Sequence, residues 1–216
     1  MAIKIKFSNG HIKLSELKGK MENFHSLSTL PNCNPICVQN RKREGSICKK
    51  CYSHKAVAYR KNLHTMLLEN YMYLSEKLIP ENETPEFNYQ FFRFESHGEL
   101  INNNHLTNIV QIIECNPRCK FAIYTKNYAL TENYFKTVKK PENLILIYSS
   151  LYVNTRLDIK DFKFADKIFT VYTDETKEKI INCNKRCWDC KKCYTKNRTQ
   201  YINEFEKAIK TRKKHK

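Results

Sequence analysis

Glycine is scarce in this chain: 216 residues contain four, at Gly10, Gly19, Gly45 and Gly98. No two stand at the spacing of a G-x-G-x-x-G turn or a G-x-x-x-x-G-K-[ST] loop, which excludes a standard dinucleotide fold and a P-loop. Long apolar runs are missing too. No stretch approaches the roughly 20 residues of a membrane span, so no membrane partner is expected. The opening MAIKIKFSNG alternates lysine with apolar residues. It lacks the apolar core of a secretory signal, so a reducing, cytoplasmic setting is expected. Acidic residues are few: 22 Asp and Glu against 39 Lys and Arg leave a formal charge of +17. What remains is ample for a core. Hydrophobic residues make up 41% and aromatics 12%, which excludes wholesale disorder.

Cysteine is abundant, with ten residues. Where disulfides are rare, clustered cysteines hold metal or do redox chemistry. They fall into Cys33-x3-Cys37-x10-Cys48-x2-Cys51, Cys115-x3-Cys119, and Cys183-x3-Cys187-x2-Cys190-x2-Cys193. Each group opens with a C-N-x-x-C unit (CNPIC, CNPRC, CNKRC), which reads as a recurring local turn. The last group is the sharpest signal. Zinc sites favour two short cysteine pairs a dozen or more residues apart. A cubane cluster needs thiolates at separate corners, and a short wrapping loop supplies them. Cys183, Cys187, Cys190 and Cys193 therefore point to a 4Fe-4S cluster, with zinc the alternative and unligated thiols the bland one. In the first group, Cys33, Cys37, Cys48 and Cys51 suit zinc or iron about equally on spacing. Cys115 and Cys119 read as one exposed and one buried thiol at a helix end, or as residues that shield or partly ligate a cluster.

Hydrophobic periodicity gives strands at 2–7, 89–94, 121–125, 144–148 and 167–173. It gives helices at 52–78, 104–114, 130–138 and 175–181, and a last amphipathic helix at 199–212 carrying Tyr201, Ile202, Phe205 and Ile209. Strands alternate with helices, and most strands are continuous apolar runs. That pattern predicts an α/β fold with a parallel sheet covered on both faces: a partial (β/α) barrel or an open sheet of about five strands. A complete eight-fold barrel needs about 250 residues. The expected organisation is an α/β unit over 1–182, with its cysteine loop at 31–51. A cysteine-rich extension over 183–216 then carries the helix and a basic tail. In such folds chemistry collects at the carboxyl ends of strands. Those ends are polar here: Glu95-Ser96-His97-Gly98-Glu99, Thr125-Lys126-Asn127, Ser149-Ser150 and Thr173-Asp174.

Positive charge is spread widely. The last ten residues carry six Lys and Arg and no acid, so removing them still leaves about +11 (17 − 6). Both cysteine loops are basic, through Arg41, Lys42 and Arg43 in the first and Lys185, Arg186, Lys191 and Lys192 in the last. Trp188 and Tyr194 interleave the last loop, and Arg212, Lys213 and Lys214 follow in the tail. Cations beside aromatic rings can neutralise phosphates and stack on bases, so nucleic acid is the expected partner. An acidic protein partner and a merely solvated lysine-rich surface are the alternatives.

Taken in order, Cys33-Asn-Pro-x-Cys37, Cys48-Lys-Lys-Cys51-Tyr52, a long helix and a strand ending in Ser96-x-Gly98-Glu99 resemble the phage "gene product 88" proteins. Those in turn look like relatives of radical S-adenosylmethionine enzymes. The Ile123-Tyr124-Thr125-Lys126 strand end and the late cysteine loop are similar to that family as well. The resemblance spans roughly residues 30–195. It implies a partial barrel, one or two 4Fe-4S clusters and a life in the host cell of a phage or prophage. It also implies that Ser96, Gly98, Glu99 and Lys126 sit where the enzymes bind S-adenosylmethionine, Glu99 contacting its amino group. The enzymes use C-x3-C-x2-C, three thiolates that leave one iron open. Here the first loop offers four cysteines, and closure by all four would block cofactor-driven chemistry. The expectation is a non-enzymatic or vestigially enzymatic iron–sulfur protein of a mobile element, acting on nucleic acid or on a nucleic-acid machine. An active radical enzyme and a zinc-stabilised nucleic-acid module are the competitors.

Overall fold

The computed structural model describes residues 12–173 and 180–206. Its strands are β1 (Ser15–Glu16), β2 (His25–Leu27), β3 (Phe91–Phe94), β4 (Lys120–Thr125), β5 (Leu144–Ser149), β6 (Lys167–Tyr172) and β7 (Tyr201–Phe205). They form one open sheet in the order β1-β2-β3-β4-β5-β6-β7. β1 runs antiparallel to β2, and every later pairing is parallel. The helices are α1 (Pro35–Lys42), α2 (Tyr52–Tyr59), α3 (Lys61–Glu76), α4 (Asn103–Cys115), α5 (Tyr128–Tyr134) and the single turn α6 (Cys187–Cys190).

Period-two alternation divides the strands between two cores. Phe92, Phe94, Phe121, Ile123, Leu144, Leu146, Tyr148 and Ile168 face Leu74 of α3 and the Leu106, Ile109, Ile112 and Ile113 stripe of α4. Each fully buried aliphatic on that stripe contributes about 1.5–3 kcal/mol of transfer free energy. Phe91, Ala122, Ile145, Ile147 and Ile202 face the opposite way. There they meet Tyr194, with Cys183, Cys187 and Cys193 packed alongside. The C-terminal cysteine loop therefore lies across one face of the sheet. Lys167, 2% exposed, anchors it by donating to Asn197 Oδ1 at 3.0 Å and to the Thr199 carbonyl at 2.7 Å.

Four expected strands are present within a residue or two, and the one at 2–7 lies outside the described residues. Among the described residues the sheet has seven strands rather than about five: β1 and β2 are too short to carry their own periodicity, and β7 falls in a stretch expected as a helix. It is an open sheet, not a closed barrel. The expected helix over 199–212 is overturned for Tyr201–Phe205, which pair with β6 from Ile168↔Tyr201 to Tyr172↔Phe205. Five residues fit either period, and here the ladder decided. The 175–181 helix falls largely outside the described residues. The single helix expected over 52–78 is two. Arg60, at φ −124° and ψ 85°, separates α2 from α3, and the pair folds over Leu30 through Val57, Met66 and Leu67.

Candidate functional site

The carboxyl ends of β2, β3 and β4 meet in a buried polar knot. Ser28 Oγ lies 2.9 Å from Ser26 Oγ and 3.0 Å from Ser96 Oγ, and it accepts the His97 N–H at 3.2 Å. Glu99 is fastened at both oxygens. Oε1 accepts from the Thr125 hydroxyl and from the Leu100 N–H at 2.9 Å, and Oε2 accepts from the Lys126 N–H at 2.7 Å. Its carboxylate thus ties β3 to β4. Burial pushes its pKa up, against Lys126 and these donors. Gly98 has φ +82°, and a Cβ there would stand 2.5 Å from the Thr29 carbonyl and 2.6 Å from Glu95 Oε2. Only glycine fits both the backbone angle and the space. Ser96, Gly98, Glu99 and Lys126 are therefore neighbours, and the knot engages both carboxylate oxygens of Glu99 within the chain.

The first cysteine loop docks on this knot. Asn34 is fully buried. Its Oδ1 caps α1 by accepting from Ile36 and Cys37, and its Nδ2 donates to the Glu99 carbonyl at 2.7 Å. Tyr52 donates to the Ser96 carbonyl, and Ser53 Oγ lies 2.9 Å from His97 Nδ1. Farther along, the Ile47 N–H donates to the Leu151 carbonyl past the end of β5. Burial, Glu99, Cys48 and Cys51 together push the Cys37 thiol up. Burial does the same for Cys48, against Lys126. Cys33 differs: it is exposed. Three half-buried thiols thus stand over the strand ends, with the fourth on the outside.

The second cysteine loop is gathered more tightly. Cys183, Cys187, Cys190 and Cys193 all line one cleft, with Lys185, Lys191, Lys192, Tyr194 and Ile202. Backbone bonds set the loop: Cys183 N–H to the Asn203 carbonyl at 3.0 Å, and Lys191 N–H to Cys187 at 2.8 Å. Lys191 turns the chain at φ 53°. Burial pushes Cys183 up to about 11 and Cys193 up to about 12, with the other thiols of the loop adding to it. Among the described residues no three His, Cys, Asp or Glu side chains converge tightly enough for a single metal ion. All ten cysteines are free thiols. Cys115 is exposed at the end of α4, while Cys119 is buried in the main core.

The residues expected to contact nucleic acid divide. Lys42, Arg43, Lys185 and Arg186 are exposed; Arg41, Lys191 and Lys192 are partly covered. Tyr194 is corrected: at 2% exposure, tilted against Phe24 and edge-on to Phe91, its ring is closed to a base. Trp188 packs edge-on against the same two rings and remains 38% exposed. Arg212, Lys213 and Lys214 lie outside the described residues. The recurring turn is corrected as well. Asn34 caps the start of α1, whereas Asn116 closes the end of α4, donating to Ile112 at 2.7 Å and to Pro85 at 2.8 Å.

Sequence reasoning missed Arg93. It lies on β3 facing the cysteine loop, 4.2 Å from the Tyr124 ring centre and 3.2 Å from Met21 Sδ. A lone arginine inside the apolar run FFRF was the available signal. Also missed was the buried pair Glu95–His105, 3.5 Å apart.

Compared with known protein families, residues 31–215 match the family model described as Gene product 88. Searches of curated proteins and of solved structures returned no match.

Proposed function

Because this chain belongs to the gene product 88 family, which supports a bacteriophage origin, we propose that it is an iron–sulfur protein of phage. Cys183, Cys187, Cys190 and Cys193 hold a cubane cluster, and the basic rim around them engages nucleic acid or a nucleic-acid-processing protein. The observation behind this reading is that all four thiols of the last loop line one cleft on the sheet. A cluster takes its thiolates at separate corners, and four cysteines two or three residues apart in one short loop supply them. The donor chemistry fits in a second way. Arg93 Nε and Tyr194 Oη are buried on this side of the sheet with no hydrogen-bond partner. Such groups are costly beside neutral thiols and favoured beside anionic ones. A bound cluster would supply one-electron chemistry and brace the loop. The chain's own residues hold Lys185, Lys191 and Lys192 at the cleft.

Anaerobic purification followed by iron and sulfide analysis tests this. Brown protein with broad absorbance near about 400 nm is expected from thiolate-to-iron charge transfer. Serine at any one of the four positions should lose most of that iron. Full iron in all four single variants, or colourless protein carrying zinc, would sink the assignment.

A second reading has one observation in its favour. Cys37, Cys48 and Cys51 are half-buried over the strand ends, whereas Cys33 is exposed. Three ligands leave an iron open, and the alternative is then an active S-adenosylmethionine enzyme. Against it stands Glu99, whose two oxygens are already engaged by three donors. Reduced protein incubated with S-adenosylmethionine is expected to yield no 5′-deoxyadenosine above a Cys48→Ser control. Turnover by the wild type would promote the enzyme reading.

A further inference from the structure

We infer that Arg93 is the built-in counter-charge of the C-terminal cysteine centre, a cation the fold leaves unpaired until the four thiols bind metal as thiolates. The inference rests on the reading that Cys183, Cys187, Cys190 and Cys193 hold metal, and it assigns a role to a residue outside the ligand set.

Arg93 sits in the middle of β3, between buried Phe92 and Phe94, and pairs in register with Ser26 on one side and Ala122 on the other. An arginine in a central parallel strand is unusual, because both sheet faces are normally apolar. Its guanidinium always carries charge and offers five N–H donors. The partners it has are weak. It lies over the Tyr124 ring at 4.2 Å and donates to Met21 Sδ at 3.2 Å. Nε is shut off from solvent with no partner at all. Among the described residues no carboxylate forms an ion pair with it; the pairs found there join Lys13–Glu69, Lys20–Glu204, His105–Glu95, Lys140–Asp166 and Arg186–Asp189. A half-buried cation whose Nε is shut off from water without a partner is a liability in the metal-free protein.

The thiols that would become anions lie on the same face of the sheet. Cys183, Cys187 and Cys193 pack against the cluster of Phe91, Ala122 and Tyr194, and so do Tyr124 and Met21, the two side chains that Arg93 touches. Phe24, Phe91 and Tyr194 close the surrounding space with aromatic rings. Four thiolates around zinc leave a net charge of about −2, and a cubane cluster with four thiolates is likewise anionic. Either would give Arg93 an opposite charge on its own side of the sheet. Lys20 is a poorer candidate, since Glu204 Oε1 already holds it at 3.0 Å. A positive charge beside the cluster favours its reduced, more negative form.

The test replaces Arg93 with Met, which keeps the stem and removes the charge, and with Lys, which keeps the charge. Three quantities are read on each purified protein: iron and sulfide content, melting temperature with and without metal, and the reduced-to-oxidised ratio at fixed potential. Arg93→Met should melt higher than wild type when metal-free and gain less on loading. Its loaded form should be about tenfold less reduced at a given potential, equivalent to about 59 mV for one electron. Arg93→Lys should stay close to wild type in both. A methionine variant that takes up no iron while its metal-free form is the more stable also supports the assignment. A methionine variant that loads fully with its reduced fraction unchanged overturns it. So does one destabilised equally with and without metal, which would mark Arg93 as a packing residue. Wild-type protein without iron fails the cluster reading itself, before any variant is made. If that protein carries zinc, the pair of melting temperatures decides on Arg93 alone.

Discussion

At the scale of single residues, two buried groups settle how the strand ends respond to acid. His105 Nδ1 accepts the Ile101 N–H at 3.3 Å, so the ring proton sits on Nε2, facing Glu95 Oε1 at 3.5 Å. Burial pushes His105 down to about 3. It pushes Glu95 well above the usual carboxylate range, against the two bonds from Thr29. His105 is therefore uncharged near neutrality. The consequence for stability has opposite signs. Unfolded His105 takes a proton near pH 6.5, whereas the folded ring refuses it until about 3. The folded state is therefore favoured above that range and loses stability as pH falls through it. Between pH 7 and pH 5 the loss from this group is about 2 kcal/mol. Glu95 acts the other way, since its folded form keeps a proton that the unfolded chain releases as pH rises. Urea unfolding of wild type and His105→Gln at pH 7, 6 and 5 separates them. The variant's stability should fall less steeply towards acid, by about 2 kcal/mol over that range. Parallel curves would contradict the assignment. Of these residues, only Gly98 announced itself in the sequence, through the scarcity of glycine. The buried state of Glu95 and His105 depends on α4 packing against β3, which no local pattern encodes.

At the scale of elements, long apolar runs were legible and short pieces were not. Phe91–Phe94, Lys120–Thr125, Leu144–Ser149 and Lys167–Tyr172 each carry enough β-branched and aromatic residues to declare themselves. His25–Leu27 has three residues and owes its strand to the partner ladder of β3. Tyr201–Phe205 looked helical because Ile202 and Phe205 are spaced by three and Tyr201 and Phe205 by four. The lesson extends to the cysteine loops. Their spacing showed two separate groups, and the structure keeps them separate. Spacing could not show that the second loop lies flat on a sheet face, because that position follows from Tyr194, Ile202 and Lys167 binding to distant strands. Nor could it show that Asn34 and Asn116, in look-alike motifs, cap opposite ends of helices. An asparagine side chain donates and accepts equally well, so its role is set by the helix beside it.

At the scale of the whole molecule, the charge of +17 belongs to no single patch. The first loop uses part of its share internally: Arg41 Nη1 lies 3.0 Å from His54 Nδ1, and Arg41 and Lys42 sit in the last turn of α1, where cations suit the helix dipole. The second loop spends less. Lys185 and Arg186 are exposed, and Arg186 has only a solvent-facing pair with Asp189 at 3.0 Å, which is worth little. If this rim contacts phosphate, each lost cation should lower the salt dependence of binding by about 0.9 per duplex phosphate. Replacing Lys185, Arg186 and Lys192 together by Ala should flatten the slope by about 2–3 and weaken binding without changing sequence preference. Fluorescence anisotropy with RNA, single-stranded DNA and duplex DNA at several salt concentrations reads this directly. Absence of binding to all three at low salt would leave an acidic protein as the partner. Among the described residues no helix is long and apolar enough to cross a membrane.

The order of the sheet carries a consequence for how the chain is made. Every strand pairs with the one before it in the chain, from β1 through to β7. A ribosome delivering this polypeptide from its N-terminus releases each strand just after its neighbour is free to receive it. The sheet can then grow outward by one edge without waiting for distant sequence. Until β7 arrives, β6 offers an open edge, the kind that recruits strands from other chains. The last cysteine loop is released immediately before the strand that covers that edge. Nascent-chain protection and assembly of the thiol pocket thus fall at the same moment.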